Sequence, residues 1–561
     1  MKKHNILKVA LWIVPVIILL LAVIFPTKGW VYLVNLVLSL AELAGIIFSF
    51  KDEHNTNKVL LATIGCFLIL SWLIPAAYFS SKYIEQGRVQ MGLFDLVNYP
   101  VTAVSYFGYI TFYVLCIGAF YGVLNKIPAY RSFLDRILMA VKGTEKFVLF
   151  IIMLVLAALT SLGGMQLTLL CFFPMLVSLI LLMGFDKMVA ALTLVGSTMI
   201  GIAGTTYGYS NISMISSTLG VELTSEVATK IVILVLGIVL LYVNTLLYIK
   251  KNISSSKEAN SKKIKVEKTT TKASKTSKSS SKKNTKAAVK KEEVIVVTED
   301  SLEKNDLIPS ASKNSKHNIW PFVVSFVILF VIAIMAFIPW GQSFGVSTFD
   351  DATTAVSKFK LFGFPIFAKL FGTFNAFGYW TVVDFLLVLL AIATLLVILY
   401  KVKVSDVLEG MFDGIKKALP LGIVVILVYT CLVMTTYHPF QLRIYKALLG
   451  LVDKFNFGTS LVVSSISVLA SIFNADPSYT FQSVLPYLAT IITDQTAYPA
   501  IAIIFQSMYG FTMLFAPTSL VLMLTLSYLD INYSKWLKNI WKLLLEFLVV
   551  ILIVLAIVII L

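Results

Sequence analysis

The feature that most limits what this chain can become is a series of apolar stretches, each about twenty residues long and nearly free of charge, separated by short loops that hold Lys and Arg. A helix needs about 20 apolar residues to cross roughly 30 Å of hydrocarbon. Backbone in lipid must satisfy its own hydrogen bonds, so such stretches become helices. Only 13% of the 561 residues are charged, against about 25% in a soluble domain. The sequence therefore predicts an all-α polytopic membrane protein. Its expected spans are 9–26, 30–50, 58–78, 102–124, 188–210, 229–249, 318–339, 381–400, 419–437, 499–525 and 538–560, eleven in all. The first begins like a signal peptide, with Lys2, Lys3 and Lys8 before the apolar run. That run ends at Pro26-Thr27-Lys28 with no small-x-small cleavage site, and is read as an uncleaved span.

Two further apolar regions, 146–184 and 458–494, are long enough for paired short helices and are interrupted at their middles. The interruptions are Thr160-Ser161-Leu162-Gly163-Gly164 and Asn474-Ala475-Asp476-Pro477-Ser478. Irregular backbone at membrane depth is tolerated where it lines a cavity or is buried in protein, so both are read as re-entrant hairpins. Two spans carry matching breaks: Gly201 to Gly208 in the first half, and Gly510 with Thr512, then Pro517-Thr518-Ser519, in the second. Ser197 and Ser507 precede them in parallel. The halves then read as inverted repeats. The expected division is 1–57 as extra N-terminal spans and 58–249 as the first half. Residues 250–317 form a linker and 318–561 the second half.

The linker holds 18 Lys against 8 Asp or Glu, about +10 of the formal +17. Its low apolar content predicts a disordered tether. The loop lysines and arginines place it and the N-terminus in the cytoplasm of a multi-pass cell-membrane protein. Basic charge of this kind points to a lipid surface and not to nucleic acid. Two amphipathic stretches, 130–142 and 441–456, read as helices lying in the membrane interface. The cysteines, Cys66, Cys116, Cys171 and Cys431, fall inside apolar stretches and read as packing residues.

No phosphate loop, HExxH or GxSxG is present, and the four histidines sit in loops or at span edges. An enzyme is not expected, nor a metal or cofactor beyond a coupling H+ or Na+. The chemistry is expected at the breaks, where exposed N–H and C=O groups hold a solute without a formal charge in lipid. The candidate binding residues are Ser161, Gly163, Gly164, Gln166, Thr205, Thr206 and Asn211 in the first half. Those of the second half are Asn474, Asp476, Ser478, Thr512, Thr518 and Ser519. Each could also be a small residue that lets helices approach. Asp476 is the sharpest, since an acid at such a tip is costly; it could also be the start of an Asx turn. Glu42, Asp384 and Glu546 are weaker candidates.

GMQLTLLCFFP at 164–174 and GFTMLFAPTSLVLMLTLSYLDINYSKWLKNIWKLL at 510–544 give the chain a relation. From about residue 60 to the end, linker apart, it resembles the YfcC-like branch of the ion transporter superfamily. That branch includes four-carbon dicarboxylate carriers and basic amino-acid antiporters. The chain departs from it at Leu167 and Thr168, where two adjacent acids are common, and at the second tip. The resemblance implies an elevator-like movement of the hairpin body against a scaffold and allows a homodimer. The expected function is secondary transport of a small polar solute, an amino acid such as arginine or ornithine first, given Asp476. Dicarboxylates or short carboxylates are the alternative. A non-transporting membrane scaffold or sensor working through the Lys-rich linker is the rival from another class.

Overall fold

The computed structural model describes residues 31–49, 55–87, 90–222, 224–273, 306–310, 317–452 and 454–560; the expected span 9–26 lies outside them. Among the described residues, eight helices are long and apolar enough to cross a membrane: Thr56–Leu73, Asp95–Asn125, Glu145–Gly163, Val227–Asn252, Trp320–Phe337, Val382–Leu399, Val404–Tyr437 and Tyr533–Ile560. The protein is an all-α polytopic membrane protein, with one small exception. Among the remaining expected spans, 30–50 appears as helix Val31–Ser49, while 188–210 and 499–525 are broken. The first gives Lys187–Ala203, with a π-turn at Leu192–Gly196, and then Tyr209–Leu219. The second gives Tyr498–Met513 and Leu520–Leu529. The two interrupted regions are each a helix followed by shorter ones: Glu145–Gly163 then Thr168–Leu182, and Phe457–Phe473 then Pro477–Gln482 and Leu485–Ile491.

The closest packing joins Asp95–Asn125 to Val404–Tyr437. Gly118 and Gly122 face Gly410 and Gly414, so a Cβ on Gly122 would lie 2.0 Å from the Gly410 carbonyl oxygen. Where lipid is as apolar as the side chains, association relies on such close backbone approach. The 404–437 helix starts well before the expected span at 419. Its polar first turns find partners, as Lys126 Nζ meets Glu409 at 3.0 Å and Asp413 at 3.4 Å. Tyr113 and Tyr121 of the first helix donate to the carbonyls of Thr168 and Cys171, tying the pair to the first hairpin.

Three features depart from expectation. Ala77–Ser80 and Lys82–Glu85 form an antiparallel β-hairpin turned at Ser81, which has a φ of 62°. Arg443 holds Glu85 at 2.7 Å, with Lys446 at 3.4 Å. Partial desolvation pushes the Glu85 carboxyl up, but Arg443 and Lys446 together outweigh it and leave it below its usual value. Its contribution is therefore present above the ordinary carboxylate range and fades as pH falls through the lowered value. The linker is not wholly without structure. Helix Val227–Ala273 carries on past the apolar stretch, because Lys, Glu and Ala are good helix formers once a helix has begun. Farther on, the apolar Leu307-Ile308-Pro309 packs onto the first half. Ser178 donates to the Leu307 carbonyl at 2.6 Å and Arg131 to that of Pro309 at 2.8 Å. Residues 274–305 and 311–316 lie outside the described residues.

The glycine contact sets a test. Gly122→Val should lower the melting temperature in detergent by several degrees or prevent folding. Gly65→Ala, in a helix where a Cβ meets nothing within 4 Å, should leave it unchanged or slightly higher.

Candidate functional site

Each helix break must find partners for the backbone groups it releases. At the first tip, Glu145–Gly163 stops because Gly164 turns left-handed, with a φ of 64°. One turn earlier Ser161 becomes a clasp. Its carbonyl accepts from the N–H groups of Thr206, Tyr207 and Gly208 at 3.1, 3.2 and 3.0 Å. Its hydroxyl donates to the Gly204 carbonyl at 2.7 Å and lies 3.0 Å from Thr206 Oγ1. The first tip is thus bound to the break of its own half. Ser343 Oγ reaches the Tyr207 carbonyl at 2.8 Å.

The second tip is built the same way with other residues. Phe457–Phe473 ends at Asn474, whose Oδ1 accepts from Thr435 at 3.0 Å. Asp476 caps the next helix, its Oδ1 accepting from Ser478 N at 2.9 Å and Tyr479 N at 3.4 Å, with Pro477 as first helical residue. Thr518 of the second break donates to the Ile472 carbonyl at 2.8 Å, and Tyr509 to that of Ala475 at 2.8 Å.

The halves meet where the broken helices cross. A Cβ on Gly510 would lie 2.3 Å from Ala203 N, and Gln506 Nε2 donates to the Thr205 carbonyl at 2.7 Å. Beside this crossing lies a cavity with about 350 Å³ of space unfilled by atoms, part of it open to solvent. It draws Gln166 and Leu167 from the first tip and Ala475 and Asp476 from the second. Met199, Tyr509, Met513 and Ser519–Val521 come from the broken helices, and Tyr429 from the 404–437 helix. Asp476 is the one charged residue in this lining. Ser519 heads Leu520–Leu529, yet its hydroxyl does not cap that helix. It is buried and has no hydrogen-bond partner among the described residues.

Of the thirteen expected site residues, three therefore line the cavity: Gln166, Asp476 and Ser519. The others serve the architecture around it. Ser161 and Thr206 form the clasp, Thr205 donates back to the Ile202 carbonyl at 2.7 Å, Asn211 donates to Thr205 at 3.3 Å, and Asn474 and Thr518 hold the second tip. Thr512 donates back to the Met508 carbonyl, and Ser478 contributes its N–H to Asp476. Gly163 and Gly164 are where packing leaves no room, a Cβ meeting Met165 at 2.9 Å and Ser210 at 2.2 Å. The sequence reading missed Tyr429, Tyr509, Met199 and Met513. Only Tyr509 left a signal, as a polar-tipped residue three places after Gln506 on the helix that also carries Ser507 and Thr512.

The model of the C4-dicarboxylate anaerobic carrier (DcuC) family matches residues 57–560. The chain belongs to that family. It is accordingly a carrier in a lipid bilayer, not an enzyme, and takes a small-molecule solute. The match supports this family and not the finer YfcC-like relation. The structure of the Alcanivorax borkumensis YdaH transporter aligns over 90% of this chain and 97% of its own, at 12% identity and a TM-score of 0.39. That likeness is too remote to bear on the fold. No curated protein matches the chain.

Ser161→Ala should destabilise the carrier by about 1–3 kcal/mol, the cost of leaving a buried polar group without its partner. The control is Ser465→Ala, whose hydroxyl only donates within its own helix to Leu461. Comparable melting temperatures for the two variants would show that the clasp contributes nothing.

Proposed function

We propose that the chain is a secondary carrier of small carboxylates, four-carbon dicarboxylates foremost, binding them in the cavity between the two tips. The observation that carries this reading is Ser519. A buried hydroxyl without a partner among the described residues stands at the start of a ten-residue helix whose next residues, Leu520 and Val521, line the same cavity. Hydroxyl and helix start together suit a carboxylate, because unpaired N–H groups and the positive end of the helix dipole favour negative charge. The family description supports the same solute.

The lining holds Asp476 and no Lys or Arg. A dianion entering beside an acid needs compensating charge, so cations, H+ or Na+, accompany it. Movement of the hairpin body against the 95–125 and 404–437 pair would carry the site across the bilayer. A second reading has one specific observation in its favour: Asp476 could take the ammonium of an amino acid whose carboxylate sits at Ser519. It is the weaker reading, because the Asp476 Oδ1 atom is already engaged in capping.

Counterflow in proteoliposomes separates the two. Succinate inside should drive uptake of labelled succinate, and arginine or ornithine should not compete. Ser519→Ala should raise the KM about 2- to 10-fold, the worth of one hydrogen bond. Asp476→Asn should weaken the dependence on the cation gradient. Exchange of arginine without succinate would replace the first reading with the second.

A further inference from the structure

Helix Asp95–Asn125 presents two unlike rows to its surroundings. Val97, Val101, Val104 and Phe112 are exposed and recur along one face, as a lipid-facing surface should. Asn98, Thr102, Ser105 and Tyr109 make a second row, at spacings of four, three and four. Thr102 is half-buried and the other three are exposed. At 3.6 residues per turn the four polar residues fall within about 60° of one another, and the valines lie about 90° away. Thr102 and Ser105 donate back to the carbonyls of Asn98 and Val101, at 3.0 Å each, which leaves their oxygens as acceptors. The Asn98 amide and the Tyr109 hydroxyl need partners that lipid tails do not offer. A polar row of this length on a spanning helix matches water better than hydrocarbon.

The row follows a seam. Tyr113, one turn beyond Tyr109 and about 40° round from it on the side away from the valines, donates to the Thr168 carbonyl of the first hairpin. The polar residues therefore lie between the lipid-facing row and the edge where the helix meets the hairpin body. Their inner end reaches the site. Asp476 and Tyr479, of the second tip and its short helix, act on Tyr109 electrostatically. Phe107 stacks on Tyr429 with ring centres 4.1 Å apart and meets the Tyr479 ring edge-on at 6.3 Å. Tyr429 and Asp476 line the central cavity. From Asn98, in the first turn of the helix, to Tyr109 the row covers roughly 17 Å. It thus connects one end of the helix to the wall of the cavity that holds Ser519.

We propose that Asn98, Thr102, Ser105 and Tyr109 form one wall of a water-filled path, by which solute reaches the central cavity from the side of the membrane where Asp95–Asn125 begins. This rests on the carrier reading of the chain. The Asn98 amide offers a hydrogen-bond donor to an arriving carboxylate, and the Thr102 and Ser105 oxygens hold the water that travels with it. Tyr109 ends the path beside Asp476, where the solute passes from the wall to the tips.

Single cysteines, in a full-length chain whose four natural cysteines are replaced, test it in proteoliposomes with a negatively charged, membrane-impermeant thiosulfonate. Asn98→Cys, Thr102→Cys, Ser105→Cys and Tyr109→Cys should react at least about tenfold faster than Val97→Cys, Val101→Cys and Val104→Cys, because the attacking thiolate forms in water and not in lipid. The adduct on Ser105→Cys should slow succinate counterflow, and its removal by a reducing agent should restore the rate, which a merely misfolded variant would not do. Equal reactivity of the two rows, or full labelling at Ser105→Cys with counterflow unchanged, overturns the path and leaves the carrier reading intact. Rows that differ in reactivity, in a cysteine-replaced chain that exchanges no succinate before labelling, keep a water-filled wall and overturn the succinate reading instead.

Discussion

The structure depends on how two helix breaks satisfy their own backbone inside an apolar body. A helix interrupted in lipid releases N–H and C=O groups that water cannot reach, and each costs several kcal/mol if left alone. Ser161 resolves most of this at the first tip, where one carbonyl takes three successive N–H groups and one hydroxyl joins both sides of the break. Asn474, Asp476, Thr518 and Thr435 divide the same task at the second. Most of the polar residues at the breaks are therefore engaged with one another. Ser519 is not, and it is this residue that faces open space.

Around the breaks the protein keeps two kinds of contact. The glycine-lined pair, Asp95–Asn125 with Val404–Tyr437, meets backbone to backbone and has no slack. The hairpins touch that pair through single hydroxyl-to-carbonyl bonds, from Tyr113, Tyr121 and Thr435. Such bonds are each worth about 1 kcal/mol and exchange readily for equivalents. The proposed movement of the hairpin body would use this combination, a close-packed pair and a body attached by replaceable contacts. The segment Leu307–Pro309 adds one more attachment, between the helix bearing Arg131 and the hairpin arm bearing Ser178.

Much of this was legible in the sequence because lipid permits so few structures. Apolar length placed the spans, and glycine, proline and hydroxyl residues inside apolar runs placed the breaks at 160–164, 201–208, 474–478 and 510–519, where the structure has them at 164–167, 204–208, 474–476 and 514–519. The roles within the breaks were less legible. Ser161 and Ser519 look alike in sequence, yet one is fully bonded and the other is free, a difference set by whichever carbonyl the other helix brings near. Tyr429 and Met199 could not be found, since an apolar residue facing lipid, protein or a cavity reads the same. Asp476 stood out by its cost, and its capping bonds account for part of that cost. The β-hairpin at 77–85 went unseen because its strands are four residues each and its partner, Arg443, is distant in sequence.

The central claim is that solute sits between the two tips, against Ser519. Its most direct test places a cysteine there, Ser519→Cys in a chain whose four natural cysteines are replaced, and follows alkylation by a small thiol reagent. Succinate should slow the reaction in proportion to its occupancy, and arginine should leave it unchanged. An alkylation rate indifferent to succinate, in a variant that still exchanges succinate, would contradict the account.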